Sequence, residues 1–269
     1  MNAKDKDFAG SIPALYDELL VPLMFQDYAR DLAARVAACA PATVLETAAG
    51  TGAVTRELRK ALPDARLTAT DLNPAMLARA ASVLPGSDTL EWLQADAQRL
   101  PFDDHSFDAM VCAFGVMFFP DRPAAYREAR RVLAPGGRLA LAVWDSLANN
   151  PLPRAVAEAL AELGLTQATS FLERVPFSLA DPWKLGTELE QAGFSQVRVE
   201  TVAHESAVTT AGIVARSHVL GTPTLNHVEA DRPGQAEAVS DAVATLLARN
   251  LGEEEFRLPV SALLVTGTA

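Results

Sequence analysis

A chain of 269 residues, 49% of them hydrophobic, can bury a full core as one large domain or two small ones. Its formal net charge of −11 repels polyanions and so argues against nucleic acid or an anionic membrane as partner. The two cysteines, Cys39 and Cys112, lack the paired spacing of a metal site; no metal is expected, and both read as reduced structural thiols.

The charged start, Met1-Asn2-Ala3-Lys4-Asp5-Lys6-Asp7, has no apolar segment of the secretory kind and reads as a loose tail, which predicts a cytoplasmic protein. Residues 12–38 read as helical, with Pro22 marking a break and 28–38 forming a second segment. Within this arm, residues 8–40, Tyr16 and Phe25 are candidate lid residues over a ligand, although an aromatic on an amphipathic helix usually belongs to the core.

An apolar strand then runs into an acid and a small-residue loop, Thr43-Val44-Leu45-Glu46-Thr47-Ala48-Ala49-Gly50-Thr51-Gly52, before a helix beginning near Thr51 or Ala53. Residues without a Cβ let backbone approach a ligand closely, and the next helix turns its free N–H groups to the same space. The pattern predicts a cofactor site, with an ordinary strand-to-helix turn as the alternative. Glu46, Asp71 and Asp96 recur at a spacing of 25 residues, each closing an apolar run, which is the period of strand-helix units in a parallel sheet. Ligands of open α/β sheets bind outside the carboxyl ends of the strands, so three carboxylates on one edge can face one elongated ligand. A carboxylate such as Asp71 can accept from both hydroxyls of a ribose.

Farther along, residues 103–106 read as a surface turn, which leaves His105 solvated, and 107–114 as a strand. The most apolar stretch, 109–119, is too short to cross a membrane. A helix over 123–133 is expected to end at Pro135-Gly136-Gly137, whose glycines supply a reversal, before a strand over 138–144. Phe114, Phe118, Phe119 and Trp144 follow or end these strands and are candidates to line an apolar pocket, with core packing as the competing role. Helices are predicted over 151–163 and 182–192, around a connection at 166–180 that could lie over the site. Late strands are predicted over 196–203 and 256–266, and between them two helices, 209–220 and 235–251, joined by a turn-rich stretch. That insertion, residues 205–255, is the candidate lid, with a dimer interface as the alternative. His204, His218 and His227 are the candidates for a general base, but each stands isolated and a structural or surface role is expected.

Over roughly residues 40–145 the chain resembles the class I S-adenosylmethionine-dependent methyltransferases, in particular the branch of the quinone-biosynthesis C-methyltransferases. The motifs that carry it are Val44-Leu45-Glu46-Thr47-Ala48-Ala49-Gly50-Thr51-Gly52, Asp71-Leu72-Asn73-Pro74-Ala75-Met76-Leu77, Ala95-Asp96-Ala97-Gln98-Arg99-Leu100-Pro101-Phe102 and Arg131-Val132-Leu133-Ala134-Pro135-Gly136-Gly137-Arg138-Leu139. The resemblance implies a single Rossmann-like α/β domain, a three-layer sandwich around a seven-stranded mixed sheet of order 3-2-1-4-5-7-6, its last strand antiparallel beside the sixth. It also implies S-adenosylmethionine as cofactor, with the loop from Glu46 to Gly52 at its methionine part and Asp71 with Leu72 at the ribose. Asp96 and Ala97 would meet the adenine edge, and Met76 and Phe114 would flank the base or the sulfonium. Ala48 departs from the family pattern, which has glycine there, and this sets the loop slightly farther from the ligand.

The expected reaction is methyl transfer to a small, apolar or aromatic acceptor by a monomer or homodimer. A nicotinamide oxidoreductase is a rival, but Thr55 stands where its fingerprint needs a small residue. A noncatalytic S-adenosylmethionine-binding regulator is the other.

Overall fold

In a computed structural model of the protein, which describes residues 3–269, the chain opens with a 3-10 turn at Ala3–Lys6. The part of the N-terminus within the described residues is not the loose tail expected: Asp5 is wholly buried, 3.1 Å from both Arg174 and His227. Met1 and Asn2 lie outside the described residues.

The arm that follows is one continuous helix in three parts, α1 (Ile12–Leu15), a π-helical stretch Tyr16–Phe25 and α2 (Gln26–Ala37). Pro22, expected to break it, lies inside the π-helical stretch. In an α-helix the proline ring collides with the carbonyl four residues back, and the wider winding moves that carbonyl away. The N–H of Gln26 reaches the carbonyl of Val21, five residues earlier. Leu20, Val21, Leu23 and Met24 are thereby turned into the core. In α2, Tyr28 is fully buried and its hydroxyl donates to the carbonyl of Val260 at 2.7 Å, tying the arm to the far end of the chain.

The body alternates strand and helix: β1 (Thr43–Thr47), α3 (Ala53–Ala61), β2 (Arg66–Asp71), α4 (Pro74–Val83), β3 (Leu90–Gln94), β4 (Phe107–Ala113), α5 (Arg122–Val132) and β5 (Leu133–Trp144). Then come α6 (Pro151–Glu162), α7 (Thr166–Arg174), α8 (Pro182–Gln191), β6 (Ser195–Glu205), α9 (Ala211–Val219), α10 (Thr224–Asp231), α11 (Ala236–Leu251) and β7 (Pro259–Thr268). The seven strands form one sheet in the order β3-β2-β1-β4-β5-β7-β6. The first five run parallel, and β7 lies antiparallel between β5 and β6. Four of the five residues of β1 are buried, the pattern of a central strand covered on both faces.

Several local expectations are corrected. The tight turn at 135–137, with Gly136 left-handed (φ 80°), falls inside β5 and not between helix and strand. β5 already begins at Leu133, which pairs with Phe107, and the register jumps so that Arg138 pairs with Ala109, a bulge. Gly137 is needed there because a Cβ would stand 2.8 Å from the carbonyl oxygen of Ala134. The connection expected at 166–180 is largely the helix α7, whose Phe171 and Leu172 are buried. The turn-rich stretch between the two late helices contains a third, α10, packed on α7. β3 ends at Gln94, so Asp96 lies in a turn just past the strand instead of closing it.

Among the described residues no helix is long and apolar enough to cross a membrane.

Candidate functional site

The loop after β1 is shaped by left-handed backbone at Ala48 (φ 51°), Gly50 (φ 56°) and Gly52 (φ 81°). Asp71, at the end of β2, braces it: one carboxylate oxygen accepts from the N–H of Gly50 at 2.8 Å, the other from the N–H of Asn73 at 2.8 Å. Across the edge, at the end of β4, Phe114 is also left-handed (φ 54°) and Gly115 follows it. A Cβ on Gly115 would stand 2.3 Å from that of Ala48, so the alanine occupies space that this glycine leaves open. Two non-glycine residues held in this conformation at facing strand ends mark a strained edge of the kind found where backbone must meet a ligand.

Beyond the strand ends lies a cavity of about 420 Å³, bounded by the arm, the loops and the late helices. From the sequence-derived candidates, Ala48, Gly50, Asp71, Leu72, Met76, Asp96, Ala97 and Phe114 line it. So do Tyr16 and Phe25 of the arm, and Phe118, Phe119 and Trp144 on the side toward β5. A smaller recess of about 40 Å³ adjoins it, walled by Glu46, Ala49 and Thr51 and sharing Ala48, Gly50 and Phe114 with the larger one. Gly52 lines neither; it caps α3 beneath the indole of Trp92, where a Cβ would come within 2.8 Å of the ring.

Buried carboxyls set the electrostatics of this edge. Glu46 is 3% exposed and accepts from the Thr55 hydroxyl at 2.5 Å. Burial pushes its carboxyl up to about 8, against the lowering effect of the Thr55 hydrogen bond, while the neighbouring Asp71 adds to the rise. Burial also raises Asp71, with the N–H groups of Asn73 and Gly50 opposing it. The Thr51 hydroxyl oxygen is enclosed and has no partner among the described residues, a buried polar atom left for something that enters the recess.

On the opposite wall Phe114 stacks on Trp144, ring centroids 4.0 Å apart, and Phe25 meets Trp144 edge-on at 5.0 Å. Phe8, Phe171 and Phe177 also line the cavity, though sequence reasoning did not select them. A single aromatic, whether on a helix as Phe171 is or in a connection as Phe8 and Phe177 are, carries no mark that separates pocket from core. The histidines part company. His204 pairs with Asp31 at 2.8 Å, away from the cavity, and His227 is held by Asp5 at 3.1 Å, also outside the lining. His218 alone of the three lines the cavity.

A cavity at the carboxyl edge of a parallel sheet, with carboxyls at or just past successive strand ends, has the position at which open α/β sheets bind elongated ligands. Residues 45–141 match the family described as a methyltransferase domain. The demethylmenaquinone methyltransferase of Deinococcus radiodurans is 33% identical over 178 residues, 61% of this chain and 73% of that one. That of Clavibacter sepedonicus is 34% identical over 192 residues, 67% of this chain and 74% of that one. In fold, the chain is similar to the Haemonchus contortus phosphoethanolamine N-methyltransferase 2 solved with S-adenosyl-L-methionine, with a TM-score of 0.60 at 12% identity, over 96% of this chain and 56% of that one.

The chain belongs to the S-adenosylmethionine-dependent methyltransferases of Rossmann-like fold, and its cofactor is S-adenosylmethionine. The residues present fit that group. Asp71 keeps carboxylate lone pairs for hydroxyl donors, Glu46 is a buried carboxyl that a bound cation would draw toward its ionised form, and the unpaired Thr51 hydroxyl awaits a polar partner.

Proposed function

We propose that the enzyme transfers the methyl group to a small, largely apolar or aromatic acceptor held between the proposed cofactor site and the late helices. The observation that carries this reading is the continuity of one cavity from Asp71 and Asp96 to Phe118, Phe119 and Trp144. In this account Glu46 and the loop through Thr51 hold the methionine part, Asp71 the ribose, and Asp96 with Ala97 the adenine, beside Met76 and Phe114. When bound, the cofactor supplies an electrophilic methyl carbon on a sulfonium; the chain's own work is to align the acceptor and exclude water. Tyr16 and Phe25 of the arm, with the helices of 205–255, close over that space, and residues 1–269 act as one methyltransferase domain.

The two named relatives act, by their names, on demethylmenaquinone, which supports an apolar ring as acceptor. The net charge of −11 argues against nucleic acid as a substrate. Cys39, an exposed free thiol, suits the reducing cytoplasm. The test is a panel of quinols, phenols, apolar amines and polar amines offered with S-adenosylmethionine, followed by S-adenosylhomocysteine release and product mass. Turnover on ring acceptors is expected; turnover confined to polar amines would overturn the reading.

A further inference from the structure

His218 sits on α9, 3% exposed, where the helices cap the far end of the cavity. The same cavity is lined by Pro153, Phe171, Leu172, Pro176 and Phe177. Nδ1 lies 2.9 Å from the carbonyl oxygen of Val214, one turn earlier on the same helix. The Ser217 hydroxyl, 3.1 Å from Nδ1, donates to the same carbonyl at 3.0 Å, and a carbonyl can only accept, so Nδ1 carries the proton and Nε2 is left with a lone pair. Among the described residues Nε2 has no hydrogen-bond partner, yet it is not sealed off in the way Nδ1 of His227 is. Thr222, which also lines the cavity, donates its hydroxyl to the backbone carbonyl of His218 at 2.6 Å. Burial holds the imidazole down at about 4, so at neutral pH the ring is uncharged. On α9 itself, Nε2 of His218 is therefore the neutral acceptor offered to the cavity, whose lining also includes the charged side chains of Lys6 and Asp7.

We propose that Nε2 of His218 receives a neutral hydrogen-bond donor on the methyl acceptor, which makes His218 the residue that selects a molecule bearing an O–H or N–H over the same molecule alkylated at that atom. The inference rests on the acceptor pocket proposed above. It goes further by assigning one specificity-determining atom and its hydrogen-bond sense. The chemistry that follows is discrimination by an unmet partner: an ether in place of a hydroxyl leaves a buried acceptor without its hydrogen bond.

The test measures binding of 2-naphthol and 2-methoxynaphthalene by equilibrium dialysis to the full chain, saturated with S-adenosylhomocysteine. Wild type should prefer 2-naphthol by about tenfold or more. In His218→Leu that preference should collapse toward unity, through loss of 2-naphthol binding. In His218→Gln, whose side-chain carbonyl can offer an acceptor near the same place, part of it should return. Equal affinities in wild type, failure of wild type to bind either probe, a preference that survives in His218→Leu, or an equal loss of both probes in that variant would each overturn the assignment. S-adenosylmethionine binding is measured separately by calorimetry: its absence in wild type would strike the methyl-transfer reading, whereas the probe ratio strikes only the role of His218.

Discussion

Ala48 and Gly115 share one space at the carboxyl ends of β1 and β4: the methyl of the alanine lies 2.3 Å from where a glycine Cβ would be. The left-handed φ of 51° at Ala48 favours glycine, so the usual preference is exchanged between two facing positions.

Gly115→Ala should therefore destabilise the fold by about 1–3 kcal/mol through overpacking, since Cys112 Sγ also lies 2.9 Å from the new methyl. Ala48→Gly alone should change stability little, because relief of the strained φ opposes the added freedom of the unfolded chain. The double substitution should recover about half or more of the loss, a coupling visible in chemical denaturation. Additive effects would show that the two residues do not compete for the same volume.

Glu46 gives a pH dependence with a definite sign. Its carboxyl is pushed up to about 8 in the folded protein, so the stabilisation linked to it is fully present below the ordinary carboxylate range and is lost as pH rises through about 8. Glu46→Gln should flatten the decline of Tm between pH 6 and 8. A cationic cofactor beside Glu46 favours the carboxylate, so binding at pH 7 should release a proton. Calorimetry in buffers of different ionisation heat reads this directly, and proton release unchanged in Glu46→Gln would assign it elsewhere.

Trp144, 5% exposed and stacked on Phe114, joins the core to the proposed acceptor wall. Trp144→Phe should raise the KM of a ring acceptor several-fold while the S-adenosylmethionine Kd stays within about twofold. Trp144→Ala should cost about 3–5 kcal/mol of stability. A cofactor Kd that shifts as much as the acceptor KM would place the indole at the cofactor instead.

The segment 205–255 supplies His218 of α9, with Thr222 and Pro223 of the connection to α10, to the cavity wall. Hydrogen exchange there should slow when cofactor and acceptor bind, as for a closing lid. Protection that depends only on protein concentration would identify an interface between copies.

The sheet order and its carboxylate edge were legible because apolar runs ending in Glu46 and Asp71 repeat with the strand-helix period, and the motif resemblance supplied the order. Asp96 was found by the same period although β3 stops at Gln94, since the turn keeps the acid at the edge. The π-helical passage through Pro22 was not legible, because proline in a helical pattern normally signals an end and only tertiary burial of Leu20, Leu23 and Met24 holds the wider winding. Nor was α10, where Pro223 and Pro233-Gly234 read as turn while the buried Val228 and His227 fold the interval between them. Asp5 looked like one more solvated charge in a charged tail, and only the three-dimensional placement of Arg174 and His227 explains its burial.

The central claim is that the cofactor binds along the edge that Asp71 organises, and calorimetric titration of S-adenosylmethionine into wild type and Asp71→Ala tests it most directly. Because Asp71 also holds the Gly50 and Asn73 N–H groups, far-UV circular dichroism and Tm must first show both proteins folded. Wild type should bind one equivalent, and the variant should lose about 1.5–3 kcal/mol of binding free energy, roughly ten- to a hundredfold in Kd, with the loss of a charged acceptor for ribose hydroxyls. Equal affinity in the two folded proteins would contradict the account.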